Sequence, residues 1–481
     1  MTRQALGDWQ TPVALAEAVL ARVARMGGPA PAVVLEPTCG EGAFLVAAAR
    51  RFEGARLAGY ELNERHAAVA RARLPGPRAE VTVADFFHVD WERALSALAE
   101  PILVTGNPPW VTSATLGSLG ARNLPEKSNL KGLSGLDALT GKSNFDVSEW
   151  MILRLLAALQ GRRATLAMLC KTAVARRVIE LAAAKRWDVR PGGLWGIDAR
   201  RHFRAAVDAV LFVCETGAPA RSGEGWPCHA SLDAPDRLST MAVVDGALIA
   251  DAESVARTAH LAGRSKPTWR SGLKHDCARV MELAVEGRGF RNGLEERVDI
   301  EAELVFPLMK SSDVAHGVTH RARAVIVPQR TLGEDTASLE RRAPRAWRYL
   351  AAHRDLLSAR KSSIYRGQPD FAIFGIGPYS FSPWKVAISG LYKRCAFTLI
   401  GPEGDRPVML DDTCYFLPFE READAREAWS ALQSPLARDF LAGRIFWDAK
   451  RPINKAILQQ LDLEALLSPS RGGPERGRAR C

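Results

Sequence analysis

At 481 residues, 47% hydrophobic and 25% charged, the chain can bury more than one core, which excludes a disordered polyelectrolyte and a miniature fold dependent on disulfide or metal staples. The formal net charge of +11 points to a polyanionic partner, nucleic acid or a membrane surface. No apolar run approaches the ~18 residues of a transmembrane helix, so no membrane association is expected. The eight cysteines (Cys39, Cys170, Cys214, Cys228, Cys277, Cys395, Cys414 and Cys481) form no CxxC pair. No metal site is therefore expected, and reduced thiols with a polar N-terminus predict a cytoplasmic protein.

In chain order, 32–36 (AVVLE) reads as a buried strand, 42–52 as a helix, 56–61 (RLAGYE) as a strand and 63–74 as a helix. Residues 80–85 (EVTVAD) and 101–107 (PILVTGN) are a third and fourth strand. An apolar helix follows at 145–160, a fifth strand at 164–170, a helix at 172–184 and a late strand at 207–215. This alternation predicts an α/β domain over 1–215 with a doubly wound parallel sheet. At 216–230 the composition turns to Gly, Pro and Ser, a linker, so a domain boundary is expected near 216. A second, mixed α+β domain is expected over 216–467, with a long helical arm around 337–361. The polar, Gly-rich segment 468–481 reads as disordered.

The strand ends carry the chemistry. In LEPTCGEGAFL, Gly40 and Gly42 let backbone approach a ligand where strand turns into helix. The second strand ends in Glu61, suited to accept hydrogen bonds from ribose hydroxyls. The third ends at Asp85 and Phe86, an acceptor for an adenine amino group and a ring to pack on it. Tight turns and helix caps use the same residue types. The row of Glu36, glycines, Glu61 and Asp85 along one sheet edge favours a ligand. The departure from GxGxxG disfavours a dinucleotide and suits a cofactor with an amino-acid moiety.

The fourth strand runs into Thr105-Gly106-Asn107-Pro108-Pro109-Trp110. Two prolines stiffen the loop and leave only carbonyls to present. Asn107 adds a side-chain acceptor, so the loop can hold both hydrogens of a planar NH2 group while its nitrogen attacks a methyl carbon on a sulfonium. Trp110 can stack on the base that bears the amine. A plain proline turn is the alternative.

These residues resemble the gamma-type N6-adenine DNA methyltransferases of bacterial restriction–modification systems. Asp8-Trp9-Gln10-Thr11-Pro12 is similar to the family's N-terminal cofactor motif. Glu36-Pro37-Thr38-Cys39-Gly40-Glu41-Gly42 is similar to its glycine loop, with glutamate for the commoner aspartate. Asn107 to Trp110 resembles its catalytic loop. The resemblance implies a class I, Rossmann-like methyltransferase domain followed by a target-recognition domain. It implies S-adenosylmethionine as cofactor, held by Gln10, Thr11, Glu36, Thr38, Gly40, Gly42, Glu61, Asp85, Phe86 and Asn107. The catalytic set is Asn107, Pro108, Pro109 and Trp110. A flipped adenine would stack on Trp110 and Phe203, although core packing suits Phe203 as well. The likeness is close over the first 215 residues and looser beyond, chiefly at Pro307–Val314 and Phe446–Ile453.

Double-stranded DNA is the expected partner. Lys127, Lys131 and Lys142, in the long Gly- and Ser-rich segment 111–144, are candidate phosphate contacts. So are Arg345, Arg348, Arg360 and Lys361 within 341–366, where eight cations meet one acid and Trp347, Tyr349 and Tyr365 interleave. A mobile surface insertion and a solvated helix face are the alternatives. With no nuclease motif in view, the chain is expected to work beside a separate restriction endonuclease or alone. Methylation of a protein glutamine or of a ribosomal RNA amino group uses a similar loop. A non-catalytic DNA-binding protein and an N4-cytosine enzyme are further alternatives; the latter more often carries serine where Asn107 stands.

Overall fold

A computed structural model describes residues 10–74, 76–112, 146–217, 223–287, 289–318 and 322–468. Asp8, Trp9, Lys127, Lys131, Lys142 and segment 469–481 lie outside them. The chain divides into two compact units, Met1–Glu253 and Ser254–Cys481.

The first unit is built on one ten-stranded sheet. Its elements are α1 (Val13–Arg25), β1 (Val33–Glu36), α2 (Ala43–Arg51), β2 (Arg56–Glu61), α3 (Glu64–Arg73), β3 (Ala79–Val83), α4 (Trp91–Ser96), β4 (Ile102–Gly106), α5 (Val147–Ala158), β5 (Ala164–Lys171), α6 (Thr172–Ala184), β6 (Arg190–Ile197), α7 (Ala199–Phe203), β7 (Ala209–Thr216), β8 (Trp226–His229), β9 (Arg237–Val244) and β10 (Ala247–Ile249). The strand order is β10-β9-β8-β6-β7-β5-β4-β1-β2-β3. Strands β3, β2, β1, β4 and β5 run parallel. Chain order reverses beside β1 and β4, which opens the crevice where such sheets bind ligands. β1 and β4 are apolar runs buried along their whole length, as strands covered by helices on both faces must be. Val34 and Leu57 pack with Leu15, Val19 and Leu20 of α1 and Phe44 and Leu45 of α2.

Three features depart from the sequence reading. β7 is antiparallel to both neighbours, β5 and β6, so the sheet is not wholly parallel. β6 was hidden because Pro191, Gly192 and Gly193 interrupt its apolar pattern. Its glycines are sterically required: a Cβ on Gly196 would lie 2.2 Å from the Ala230 carbonyl oxygen. Third, the expected linker 216–230 contains β8, which pairs parallel with β6 and continues through β9 into β10. These strands cover the β6 edge that a boundary at 216 would leave open. The first unit accordingly runs to Glu253.

The second unit is mixed α+β with two sheets. One is antiparallel and orders Arg270–Ser271, Cys414–Phe419, Trp384–Ser389 and Phe397–Ile400. The other has six strands, with Glu282–Glu286, Arg323–Ile326 and Val305–Met309 at its centre. The expected arm over 337–361 is instead three short helices, Leu339–Arg342, Pro344–Ala352 and Arg354–Ser358. Ala343, at φ −143°, breaks the first from the second, as a residue preceding proline avoids the helical region. Leu339, Ala346, Leu350 and Leu357 pack into the core with Val325 and Phe306. Among the described residues no helix is long and apolar enough to cross a membrane.

Candidate active site

The carboxyl ends of β1, β2 and β4 bring the sequence-selected residues together. Gly40 adopts a left-handed φ of +51°, and a Cβ there would lie 2.6 Å from Gln10 Oε1. That close approach lets Gln10 cross the loop and accept from the Glu41 N–H at 3.1 Å. Glu61 Oε2 accepts from the Gly40 N–H (2.8 Å) and Oε1 from the Asn63 N–H (2.8 Å), which shapes the loop and leaves each oxygen a further lone pair. Glu36 is buried and accepts from the Leu45 N–H at 3.2 Å. Burial, with Glu61 nearby, pushes its carboxyl well above the usual range against the lowering effect of that bond. The Thr38 hydroxyl is buried without a hydrogen-bond partner among the described residues.

Asp85 caps the single turn Phe86–His88, accepting from the Phe87 N–H at 3.0 Å, with its second oxygen 3.2 Å from His88 Nδ1. Phe86 is buried in an aromatic cluster, its ring centroid 4.7 Å from that of Trp91 and 6.2 Å from that of Trp150. Asp85 thus caps this turn, and Phe86 packs within the aromatic cluster.

Gly106, at φ +154°, turns the chain out of β4 into the proline loop. Asn107 Nδ2 donates to Thr11 Oγ1 at 3.2 Å, which links the segment before α1 to this loop. Asn107 Oδ1 is buried with no hydrogen-bond partner among the described residues. Leaving such an acceptor bare is unfavourable, so the site is built to receive a donor. Trp110 is buried, with its indole N–H donating to the Leu169 carbonyl at 3.3 Å. Its ring meets that of Phe203 on α7 at 5.1 Å and 72°. The two aromatics predicted to receive a base are thus neighbours, but edge to face rather than as parallel plates.

Sequence reasoning missed Asp146 and Lys171. Asp146 N-caps α5 through the Ser148 N–H at 3.1 Å, and Lys171 Nζ lies 2.5 Å from its other oxygen. The signals were weak: an Asp-Val-Ser helix start and a lysine just after an apolar strand.

In the second unit, Arg345 is paired with Asp299 at 2.8 Å and Glu301 at 3.3 Å. Arg360 donates to the carbonyls of Leu357 (2.6 Å), Ala372 (2.7 Å) and His275 (3.4 Å) and lies over the Tyr365 ring. Arg348 and Lys361 are exposed and have no acidic partner among the described residues. Trp347 packs on Phe371, and the Tyr349 hydroxyl donates to the Val280 carbonyl. These aromatics serve the unit's own packing. Of the looser motifs, Lys310 pairs with Glu282 at 2.6 Å and Arg451 with Asp412 at 3.4 Å.

The chain is 42% identical over 476 residues to the type II methyltransferase M.NspV of Nostoc sp., covering 97% of this chain and 98% of that protein. The chain belongs to the type II restriction–modification methyltransferases. A second member, M.CvrRI of Paramecium bursaria Chlorella virus XZ-6E, is 33% identical over 90 residues, 19% of this chain and 21% of its own length. The type IIL restriction–modification enzyme MmeI, solved in complex with DNA, shares the fold at a TM-score of 0.53 and 12% identity. That match covers 93% of this chain and 64% of MmeI. No protein-family profile matches the chain.

S-adenosylmethionine is the cofactor of this methyltransferase. The residues present fit it. Among the described residues the Thr38 hydroxyl is buried without a partner, and it and the remaining lone pairs of Glu61 suit a ligand that carries ammonium and hydroxyl donors.

Proposed function

We propose that this methyltransferase transfers a methyl group to N6 of an adenine flipped out of double-stranded DNA, in the cytoplasm and as the modification half of a restriction–modification pair. The observation that carries the reading is the buried Asn107 Oδ1, unpartnered among the described residues, in a proline-stiffened loop between the cofactor-side Thr11 and the aromatic pair Trp110 and Phe203. When bound, the cofactor would supply an electrophilic methyl carbon on a sulfonium, whose sulfur keeps the C–S electron pair and leaves as a neutral thioether.

Asn107 Oδ1 accepts one hydrogen of the incoming amine, and a carbonyl of the Pro108–Pro109 segment accepts the other. Together they aim the nitrogen lone pair, so orientation does most of the catalytic work. No base is needed beforehand, because the amine proton becomes acidic only as the N–C bond forms and then leaves to solvent. Phe203 turns away from its edge-to-face contact with the fixed Trp110 to admit the base. Gln10, Thr38, Gly40 and Glu61 hold the cofactor, with Asp85 and Phe86 at the adenine end. DNA as substrate is supported by the relationship to M.NspV and by the fold shared with DNA-bound MmeI.

The test is transfer of labelled methyl to unmethylated DNA, to RNA and to protein, followed by digestion of the DNA to nucleosides. N6-methyl-2′-deoxyadenosine is the expected product. N4-methylcytosine would overturn the choice of base, and label found only in RNA or protein would overturn the choice of substrate. DNA that is also cut in the presence of Mg²⁺ would overturn the separation from the endonuclease.

A further inference from the structure

Lys171 closes β5 and Asp146 opens α5, and neither falls in the cofactor or catalytic motif. The Lys171 ammonium lies 2.5 Å from Asp146 Oδ2 and donates to the Trp110 carbonyl at 3.0 Å. The other Asp146 oxygen accepts from the Ser148 hydroxyl at 2.6 Å and from its N–H at 3.1 Å. Asp146 also forms an antiparallel bridge with Thr112, and the Val147 N–H donates to the Val111 carbonyl at 2.8 Å. Trp110 is therefore tied to β5 twice, by its backbone through Lys171 and by its indole through the Leu169 carbonyl.

The aspartate side chain is only 7% exposed. A pair this dry adds little net stability against an apolar replacement, and its best-attested use is to enforce one geometry. The ammonium has three donors and here reaches a carboxylate and a loop carbonyl at once. Proline removes the loop's own N–H donors, so its backbone has few other means of being fixed.

We infer that Lys171, with Asp146 as counter-charge, is a positioning residue that holds the Trp110 end of the catalytic loop at the angle required for methyl transfer. The inference rests on the functional reading above. Asp146 has a second task in this scheme. The target nitrogen becomes cationic as it gains the methyl group, and an uncompensated ammonium beside the loop would oppose that charge.

The experiment uses the full chain and the variants Lys171→Met, Lys171→Arg, Asp146→Asn and Lys171→Met/Asp146→Asn. Asparagine keeps an oxygen to cap α5, so Asp146→Asn removes the charge without removing the helix start. Single-turnover methyl transfer to unmethylated DNA is measured beside cofactor affinity by calorimetry and the melting temperature. Lys171→Met is expected to slow transfer at least about tenfold, as misorientation does, while leaving cofactor affinity within about twofold. Lys171→Arg should recover most of the rate. Asp146→Asn should be slowed similarly, and the double variant should be no slower than the slower single, since the two act as a unit. Lys171→Met with the wild-type rate would overturn the inference. So would rate, affinity and melting temperature falling together without rescue by arginine. A wild-type chain that methylates no DNA would instead overturn the functional reading and this inference with it.

Discussion

Among the described residues Asn107 makes one polar contact, through its nitrogen, and leaves its buried oxygen bare. Buried polar atoms as a rule find a partner, and a bare acceptor at the end of a strand in the ligand crevice marks a place for a donor. Asn107→Ala should therefore lower the single-turnover rate by about 10²–10³-fold, the scale for deleting one preorganised polar group at a reacting centre. Cofactor affinity should change little, and near-normal turnover would remove Asn107 from the chemistry. Glu61 differs, because it shapes the loop as well as facing the ligand. Glu61→Ala should weaken cofactor binding by about 1–3 kcal/mol in calorimetry. Glu36 gives a pH signature. Its carboxyl is raised by burial in the folded chain, so its contribution to stability is full below the ordinary value of 4.5. That contribution is lost as pH rises toward the folded value. In the ligand-free protein Glu36→Gln should flatten the decline in melting temperature from about pH 5 upward; parallel profiles for variant and wild type would contradict the buried neutral acid.

At the level of elements, β1 to β5, β7 and helices α2, α3, α5 and α6 were readable because each is a clean apolar period bounded by Gly, Pro or a cap. The glycine loop, Glu61 and Asn107 were readable because each sits at a strand end, where parallel sheets collect ligands. β6 was not, since Pro191 and its glycines answer to close neighbours rather than to a solvent-core alternation. β8 was not, since Trp226–His229 lies inside a Gly- and Pro-rich stretch and takes its pairing only from β6. Phe203 and Trp110 meet from distant parts of the chain, and Lys171 and Asp146 from positions 25 apart. No local pattern reports such meetings. The β6 glycines offer a test. Gly196→Val places a Cβ against the Ala230 carbonyl and should destabilise the chain by about 1–3 kcal/mol in urea unfolding. Cofactor affinity under native conditions should hold, because the site lies at β1, β2 and β4. Unchanged stability would mean that the β6–β8 pairing yields easily.

For the whole molecule the question is where the +11 charge acts. The basic stretch 341–366 is uniform as sequence, and the fold sorts it into two classes. Arg342, Arg345 and Arg354 are paired with Glu334, Asp299 and Asp370, and Arg360 is held by three carbonyls. Arg341, Arg348, Lys361 and Arg366 are exposed and have no acidic partner among the described residues. Only the second class is free to displace counterions from a phosphate backbone without first breaking a bond. Replacing each of these four by alanine should lower the slope of log affinity for DNA against log salt by about one for every phosphate left without its cation. Melting temperature should stay put. Arg360→Ala should do the reverse, lowering stability by about 1–3 kcal/mol through the carbonyls it strands while leaving the salt slope as it was. If the four exposed substitutions left the slope untouched, the DNA would have to lie on another face, and the charge of this stretch would be solvent-facing only.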